Sequence, residues 1–321
     1  MAIKFLINPI AGGQRGRRYW QALHRGCQRL GYAEGRDFSL EWTHTERLAE
    51  QARRAAAYWN RVVAVGGDGT VRAVAEGLFQ AGTDAALGVI PLGTGNDFSR
   101  AVGFDRLWAQ RRRFGLAHVI QRLSVGPTAA LDVLTLNDWL CFVSYASTGL
   151  DAYLSYAYER LRRRPVWQML LRGRLINECA YGALGLRYHC IRLPPLHLHI
   201  RVPSTGWTTL TIPHHTCAVI VSNVTSYAGG SPLTPGSSPR DGCFEVTVVP
   251  RLWSFALLIA ARGLPFLRRR CRLQTHQANE ARLSLPSGYA VQVDGEDHTA
   301  HLAGATALSI RVAGQIRVVC P

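Results

Sequence analysis

Lysine is all but missing from this chain: Lys4 is the only one among 37 Lys and Arg residues. It falls in the first strand that the sequence predicts. A phosphate-loop lysine, a protein-kinase strand lysine and a Schiff-base lysine are therefore set aside as the chemical centre. Acids are scarce too, since 21 Asp and Glu leave a net charge of +16. That balance points to an anionic partner, whether phosphate, nucleic acid or a membrane surface. Genomic base composition accounts for most of the preference for arginine. The eight cysteines include no C-x-x-C pair. Neither a zinc cluster nor a disulfide framework is expected, and a reducing cytosol fits. The longest apolar run lies near Phe255–Ala261, far short of the roughly 20 residues that span a bilayer. The start of the chain reads as a strand broken by Asn8-Pro9 and not as a signal peptide. A soluble or peripheral protein is expected.

What is present centres on Arg61-Val62-Val63-Ala64-Val65-Gly66-Gly67-Asp68-Gly69-Thr70. The β-branched run predicts a short buried strand, and Val71–Leu78 predicts the helix after the turn. A strand, a glycine turn and a helix N-terminus together offer backbone N–H groups and a positive dipole end to phosphate. Asp68 is the odd member. Beside phosphate it needs a bridging Mg²⁺ or a proton to handle; otherwise it is a helix cap in an ordinary βα turn.

A second strand, Leu87–Ile90, leads into Pro91-Leu92-Gly93-Thr94-Gly95-Asn96-Asp97-Phe98. Two such turns after parallel strands lie side by side at the carboxyl edge of a sheet, where open α/β folds bind ligands. Together the two motifs resemble the catalytic domain of the diacylglycerol kinase family, which includes bacterial lipid kinases and the sphingosine and ceramide kinases. The resemblance runs from Asn8-Pro9 almost to the C-terminus. It implies ATP as phosphoryl donor and Mg²⁺ as cofactor. The implied nucleotide contacts are Asn8, Thr43, Gly66, Gly67, Asp68, Gly69, Thr70, Gly93, Thr94, Gly95 and Asn96. Thr43 also reads as a simple helix-capping residue.

Strand–helix alternation through Gly103 predicts an N-terminal doubly wound parallel α/β domain, residues 1–126. Its strands are expected at 3–7 and 38–42, with helices from about Arg17 to Leu30 and Glu46 to Tyr58. From Ala130 short alternating strands predict a β-sandwich-like second domain, residues 127–305, with a hairpin turn at Asn137-Asp138. Residues 306–321 are expected to return to the first domain. No internal repeat is found.

In the second domain Asn223, Tyr227, Gly229, Gly230 and Pro235 match the family's loop before an Asp-Asp-Gly turn. Here that turn is Arg240-Asp241-Gly242. The resemblance implies a structural Mg²⁺ held by the Asp241 carboxylate and the backbone carbonyls of Ser238 and Cys243; hard oxygens suit that ion. Val291-Gln292-Val293-Asp294-Gly295-Glu296 ends a strand in a turn bearing two acids. By resemblance Glu296 is the general base and Asp294 orients it. Asp68 is the competing base, as in the sphingosine kinase branch.

The reading is an ATP-dependent lipid kinase acting on diacylglycerol or a related lipid. An NAD kinase shares the first glycine turn, but Asn96-Asp97-Phe98 and Asp294-Gly295-Glu296 favour the lipid branch. A catalytically impaired lipid- or nucleotide-binding relative is supported by three departures from the family pattern: Arg72, Ser144 and Arg240. Nucleic-acid binding rests on charge alone and is not expected. The histidines, among them His197, His199, His214 and His215, have no acid or cysteine at ligand spacing. Arg162–Arg174 reads as a basic amphipathic helix for anionic lipid, or else as a solvated basic face. The expected partner is a lipid at an anionic membrane surface, on the inner face of the membrane from the cytoplasm. A homodimer is left open.

Overall fold

The fold is taken from a computed structural model that describes residues 2–164, 167, 174–286 and 288–321. The expected basic helix at Arg162–Arg174 lies largely outside the described residues. Of it, Arg162, Arg163 and Arg164 are described, and all three are exposed. The chain divides into two compact units, Met1–Val133 with Gly314–Pro321, and Leu134–Ala313.

The first unit alternates strand and helix: β1 Ile3–Ile7, α1 Ala11–Arg29, β2 Phe38–Trp42, α2 Leu48–Ala56, β3 Arg61–Gly66, α3 Asp68–Ala81, β4 Ala86–Pro91, α4 Asp97–Val102 and α5 Phe104–Val125. The strands are parallel in the order β2-β1-β3-β4, and residues 317 and 318 near the C-terminus continue the sheet beside β4. Every residue of β3 and β4 is buried, which explains the unbroken apolar run that follows Arg61 in β3 and fills β4: helices cover both faces. Helices α1 and α5 pack together, as do α2 and α3. This is the doubly wound parallel fold that the alternation predicts.

Helix α1 begins at Ala11, earlier than the sequence suggests. The Asn8 side chain and carbonyl accept the N–H groups of Ile10 and Ala11 and close the turn at once. Gly16 is needed there, because a Cβ at that position would lie 1.9 Å from the Asn8 carbonyl oxygen.

The second unit follows β5 (Thr128–Leu136), a strand that crosses the division between the units, as the last strand does after Ala313. Its elements are β6 Leu140–Phe142, β7 Tyr145–Gly149, α6 Leu150–Arg162, α7 Arg174–Arg187, β8 Leu196–Val202, β9 Gly206–Ile212, β10 Ala218–Ser222, β11 Ser226–Tyr227, β12 Ser231–Pro232, β13 Phe244–Val249, α8 Leu252–Ala260, β14 Gln274–Ala278, β15 Glu280–Ser284, β16 Val291–Val293, β17 Glu296–Asp297 and β18 Ala307–Val319. One antiparallel layer runs β18-β15-β8-β9 through residues 307–311 of β18; the other runs β14-β13-β10-β7-β16-β17. Leu196, Leu198 and Ile200 alternate inward and share a core with Val219, Val221, Phe244 and Val246 of the other layer, while His197 and His199 face solvent. On the second face of that layer Ala218 and Ile220 pack with Leu150 and Leu154 of α6 and Phe255 and Leu258 of α8. Two covered faces explain why β10 carries no polar alternation.

The turn read at Asn137-Asp138 forms with φ of 50° and 61°, and Trp139 completes a three-residue loop between Leu136 and Leu140. Strands β14 and β15 escape the sequence reading. QTHQA and EARLS are largely polar, and only packing selects them as strands. Among the described residues no helix is long and apolar enough to cross a membrane.

Candidate active site

In the first unit, strand register collects the nucleotide candidates at one edge. Ile7 lies opposite both Trp42 and Val65, and Gly66 opposite Pro91. Asn8, Thr43, Gly67 and Leu92 therefore follow four neighbouring strands at their carboxyl ends. The strand order reverses between β1 and β3, so Asn8 and the Gly66-Gly67 turn flank the switch point where such sheets bind ligands. Asn8 donates from Nδ2 to Thr70 Oγ1 at 3.1 Å, and its N–H reaches the Val65 carbonyl. The Thr43 N–H donates to Ile7. Beside Thr43 a cleft of about 540 Å³ opens, lined by His44, Arg47, Gln51 and Arg54 among others.

The two glycine turns touch. The Leu92 N–H donates to the Gly66 carbonyl at 2.8 Å, and a Cβ at Gly93 would lie 2.6 Å from the Gly67 Cα. Asn96 holds the second turn closed: at φ 55° it donates from Nδ2 to the Gly93 carbonyl at 2.7 Å. Thr94, at the tip, is exposed, whereas Gly93 and Gly95 are half-buried. Asp68 opens α3, and its carboxylate accepts the Phe98 N–H of α4 at 3.3 Å. It thus caps the following helix and ties the two turns together. Gly95 leaves room for it, since a Cβ there would stand 2.8 Å from Asp68 Oδ2. Arg72 extends along α3 to Glu76 at 3.3 Å.

In the second unit Asp294 and Gly295 form the turn between β16 and β17, with φ of 48° and 84°. Asp294 is 3% exposed. Its carboxylate accepts the N–H groups of Val143, Ser144 and Tyr145 at 3.2, 3.0 and 2.8 Å. Asp294 therefore fixes the turn through main chain far away in sequence, and the turn carries half-buried Glu296. The Ser144 hydroxyl is buried without a partner in the structure.

Gln292, Ser147, Asp151 and Glu159, to which the sequence reading gave no role, support this turn together with Tyr227. Gln292 accepts the Gly295 N–H at 2.8 Å and donates to Ser147 Oγ at 2.8 Å. The Ser147 hydroxyl donates to Asp151, as does the Tyr227 hydroxyl at 2.8 Å. Burial pushes the Asp151 carboxyl up, against these donors. Glu159 of α6 accepts the Asp297 N–H at 2.9 Å. Burial raises its carboxyl, and the charges of Asp297 and Glu296 push it further the same way. Only the Gln-x-Asp-Gly-Glu spacing could have hinted at Gln292; nothing local marks Glu159.

The proposed Mg²⁺ loop lies elsewhere in the same unit. Asp241 is exposed, accepts the Cys243 N–H on Oδ1 at 3.0 Å and takes Gln277 Nε2 on Oδ2 at 3.2 Å. Ser238 is half-buried. Burial, with the Asp241 charge adding to it, pushes the nearby Glu245 carboxyl up to about 7. The exposed Asp241 carboxylate is a hard oxygen donor of the kind a hydrated Mg²⁺ takes, and that ion needs few protein ligands. Among the described residues no group of three His, Cys, Asp or Glu side chains is set to hold a metal.

Comparison with known proteins places this geometry in context. The family profile described as the diacylglycerol kinase catalytic domain matches residues 2–128, and that of the diacylglycerol kinase accessory domain matches residues 141–297. A "Probable lipid kinase YegS-like" protein of Pseudomonas syringae pv. tomato is 27% identical over 81% of this chain and 77% of its own length. "Diacylglycerol kinase 3" of Arabidopsis thaliana is 27% identical over 53% of this chain and 46% of that protein. The crystal structure of a diacylglycerol kinase from Bacillus anthracis strain Sterne superposes with a TM-score of 0.63 at 16% identity, covering 100% of this chain and 97% of the other.

Proposed function

The chain belongs to the diacylglycerol kinase family of lipid kinases, and from that premise we propose that it transfers the γ-phosphoryl group of ATP to the hydroxyl of diacylglycerol or a related lipid. The observation that carries this reading is the contact of the two glycine turns at the switch point, where Gly67 and Gly93 pack backbone to backbone. Such a ridge presents main-chain N–H groups to phosphate with no side chain in the way.

Phosphoryl transfer asks little covalent help of a protein: position the hydroxyl, stabilise phosphate charge and accept a proton. Asn8 holds Thr70, and Asp68 ties α4 to α3, so the phosphate-facing turns are rigid before nucleotide arrives. Glu296 is the proton acceptor in this reading. As the lipid oxygen bonds to phosphorus, the bond to the β-phosphate oxygen breaks, ADP leaves and the hydroxyl proton passes to the Glu296 carboxylate. The Asp241 loop would hold Mg²⁺, which supplies structural charge there. The proposed setting is an anionic membrane surface reached from the cytoplasm, with no nucleic-acid partner. A gap of about 20 Å³ between the layers of the second unit has room for little more than one water.

Incubation with labelled ATP, Mg²⁺ and a panel of lipids in mixed micelles, with NAD alongside, tests the reading. Label in a lipid is expected. Label in NAD, or ATP binding without transfer to any acceptor, would replace it with the NAD kinase or the impaired relative.

A further inference from the structure

Residues 251–273 are apolar and basic at once. The segment contains Arg251, Arg262, Arg268, Arg269, Arg270 and Arg272 and no acid. Its helix α8, LWSFALLIA, has no charge at all. The buried side of α8 is accounted for, since Phe255 and Leu258 join the core with Cys271. The other side is exposed among the described residues. Trp253 is 78% exposed, Leu264 51% and Phe266 61%. Ala256 and Ala260 continue the exposed stripe from Trp253 at helical spacing. The turn that follows, Pro265–Arg270, packs against α8 and is pinned from beneath: Arg268 donates to the carbonyls of Pro232 and Leu233 at 2.7–3.1 Å. Arg251, Arg269, Arg270 and Arg272 of the same segment are exposed.

Leaving Trp, Phe and Leu together in water is costly, and a soluble surface seldom groups them. Exposed aromatic and leucine side chains with exposed arginines in the same short segment match the boundary of an anionic bilayer: rings enter the headgroup level while guanidinium groups meet lipid phosphates. We infer that α8 and the Pro265–Arg270 turn form a membrane-docking surface for anionic phospholipid, inserting Trp253, Leu264 and Phe266. The choice of a bilayer as occupant rests on the charge of the segment and on the lipid-kinase reading. A second copy of this chain would bring the same arginines face to face without compensating acids in the segment.

The test is co-sedimentation of the full chain with vesicles of phosphatidylcholine, alone or mixed with phosphatidylglycerol, beside a separate measurement of ATP affinity. Wild type should bind the anionic vesicles and release them as salt rises. Trp253→Ser with Phe266→Ser should weaken binding about tenfold or more. Arg269→Gln, Arg270→Gln and Arg272→Gln together should weaken it about tenfold or more and flatten the salt dependence. ATP affinity should stay unchanged in both variants. All these positions are exposed, and thermal unfolding checks the fold; should the apolar variant misfold, the arginine variant decides. Unchanged vesicle binding in the folded variants overturns the inference, as does a wild-type dimer that the apolar variant dissolves. Vesicle binding with no lipid phosphorylated would leave the surface standing and remove the kinase reading alone.

Discussion

A Cβ on Gly93 would stand 2.6 Å from the Cα of Gly67, while one on Gly67 would stand 3.2 Å from the Cα of Gly93. The two phosphate-loop candidates are thus in backbone contact, and the contact is tighter from one side. Gly93→Ala should force the turns apart by a sizeable fraction of an ångström and lower kcat/KM about 10²-fold. Gly67→Ala should cost clearly less. Calorimetric titration with ATP and steady-state assays check both; wild-type ATP affinity in a folded Gly93→Ala variant would remove these turns from the nucleotide site.

Glu296→Gln keeps size and removes the proton acceptor. Its kcat should fall about 10²–10⁴-fold while ATP affinity and Tm stay near wild type. Should Glu296→Gln keep near-native kcat while Asp68→Asn is inactive, the base belongs in the first glycine turn.

Asp294→Asn should behave differently, because the carboxylate meets three main-chain N–H groups. An amide presents an NH₂ where an acceptor is needed, and the loss should be about 3 kcal/mol of stability. Denaturant unfolding measures it. A variant with wild-type stability and low activity would show that Asp294 acts in the chemistry instead.

Gln292→Leu releases the Gly295 N–H and the Ser147 hydroxyl. If Gln292 positions the turn, kcat should drop about tenfold or more with KM for ATP unchanged. Equal changes in kcat and ATP affinity would point to a general loss of structure.

For Glu159 the pH dependence has a definite sign. Its folded carboxyl sits above the ordinary 4.5. Between those values the folded chain holds a proton that the unfolded chain lacks, so this group's contribution to stability falls as pH rises from about 4.5 and levels off above the folded value. Glu159→Gln removes that slope and can still accept the Asp297 N–H. Its Tm relative to wild type should rise between pH 4.5 and pH 7, as read by scanning calorimetry. A constant offset would show that the site does not titrate with folding.

The Asp241 loop predicts a Mg²⁺ effect on stability that needs no assay of activity. Added Mg²⁺ should raise Tm in wild type at pH 8, and Asp241→Asn should abolish the rise. An equal rise in both proteins would place the ion elsewhere.

The sequence by itself determined the parallel strands, the two glycine turns and the Asn137-Asp138 hairpin. Each is a local matter: β-branched runs, glycines and a pair of residues tolerant of positive φ act within a few residues. The family motifs likewise pointed to Glu296, Asp68 and Asp241 as residues worth attention. Only the tertiary structure decided what their side chains meet. Asp294 finds its acceptor role about 150 residues away in sequence, at Val143–Tyr145. Gln292 joins Ser147, and Glu159 comes beside Asp297, with no spacing in the chain to announce either contact. Polar β14 and β15 became strands because their neighbours needed hydrogen-bond partners. The apolar run near Phe255–Ala261 reads in the sequence only as too short to span a bilayer; packing buries one side of its helix and leaves Trp253 outside. A buried polar group or a helix face takes its partner from whatever long-range packing brings near, and that choice is not written locally.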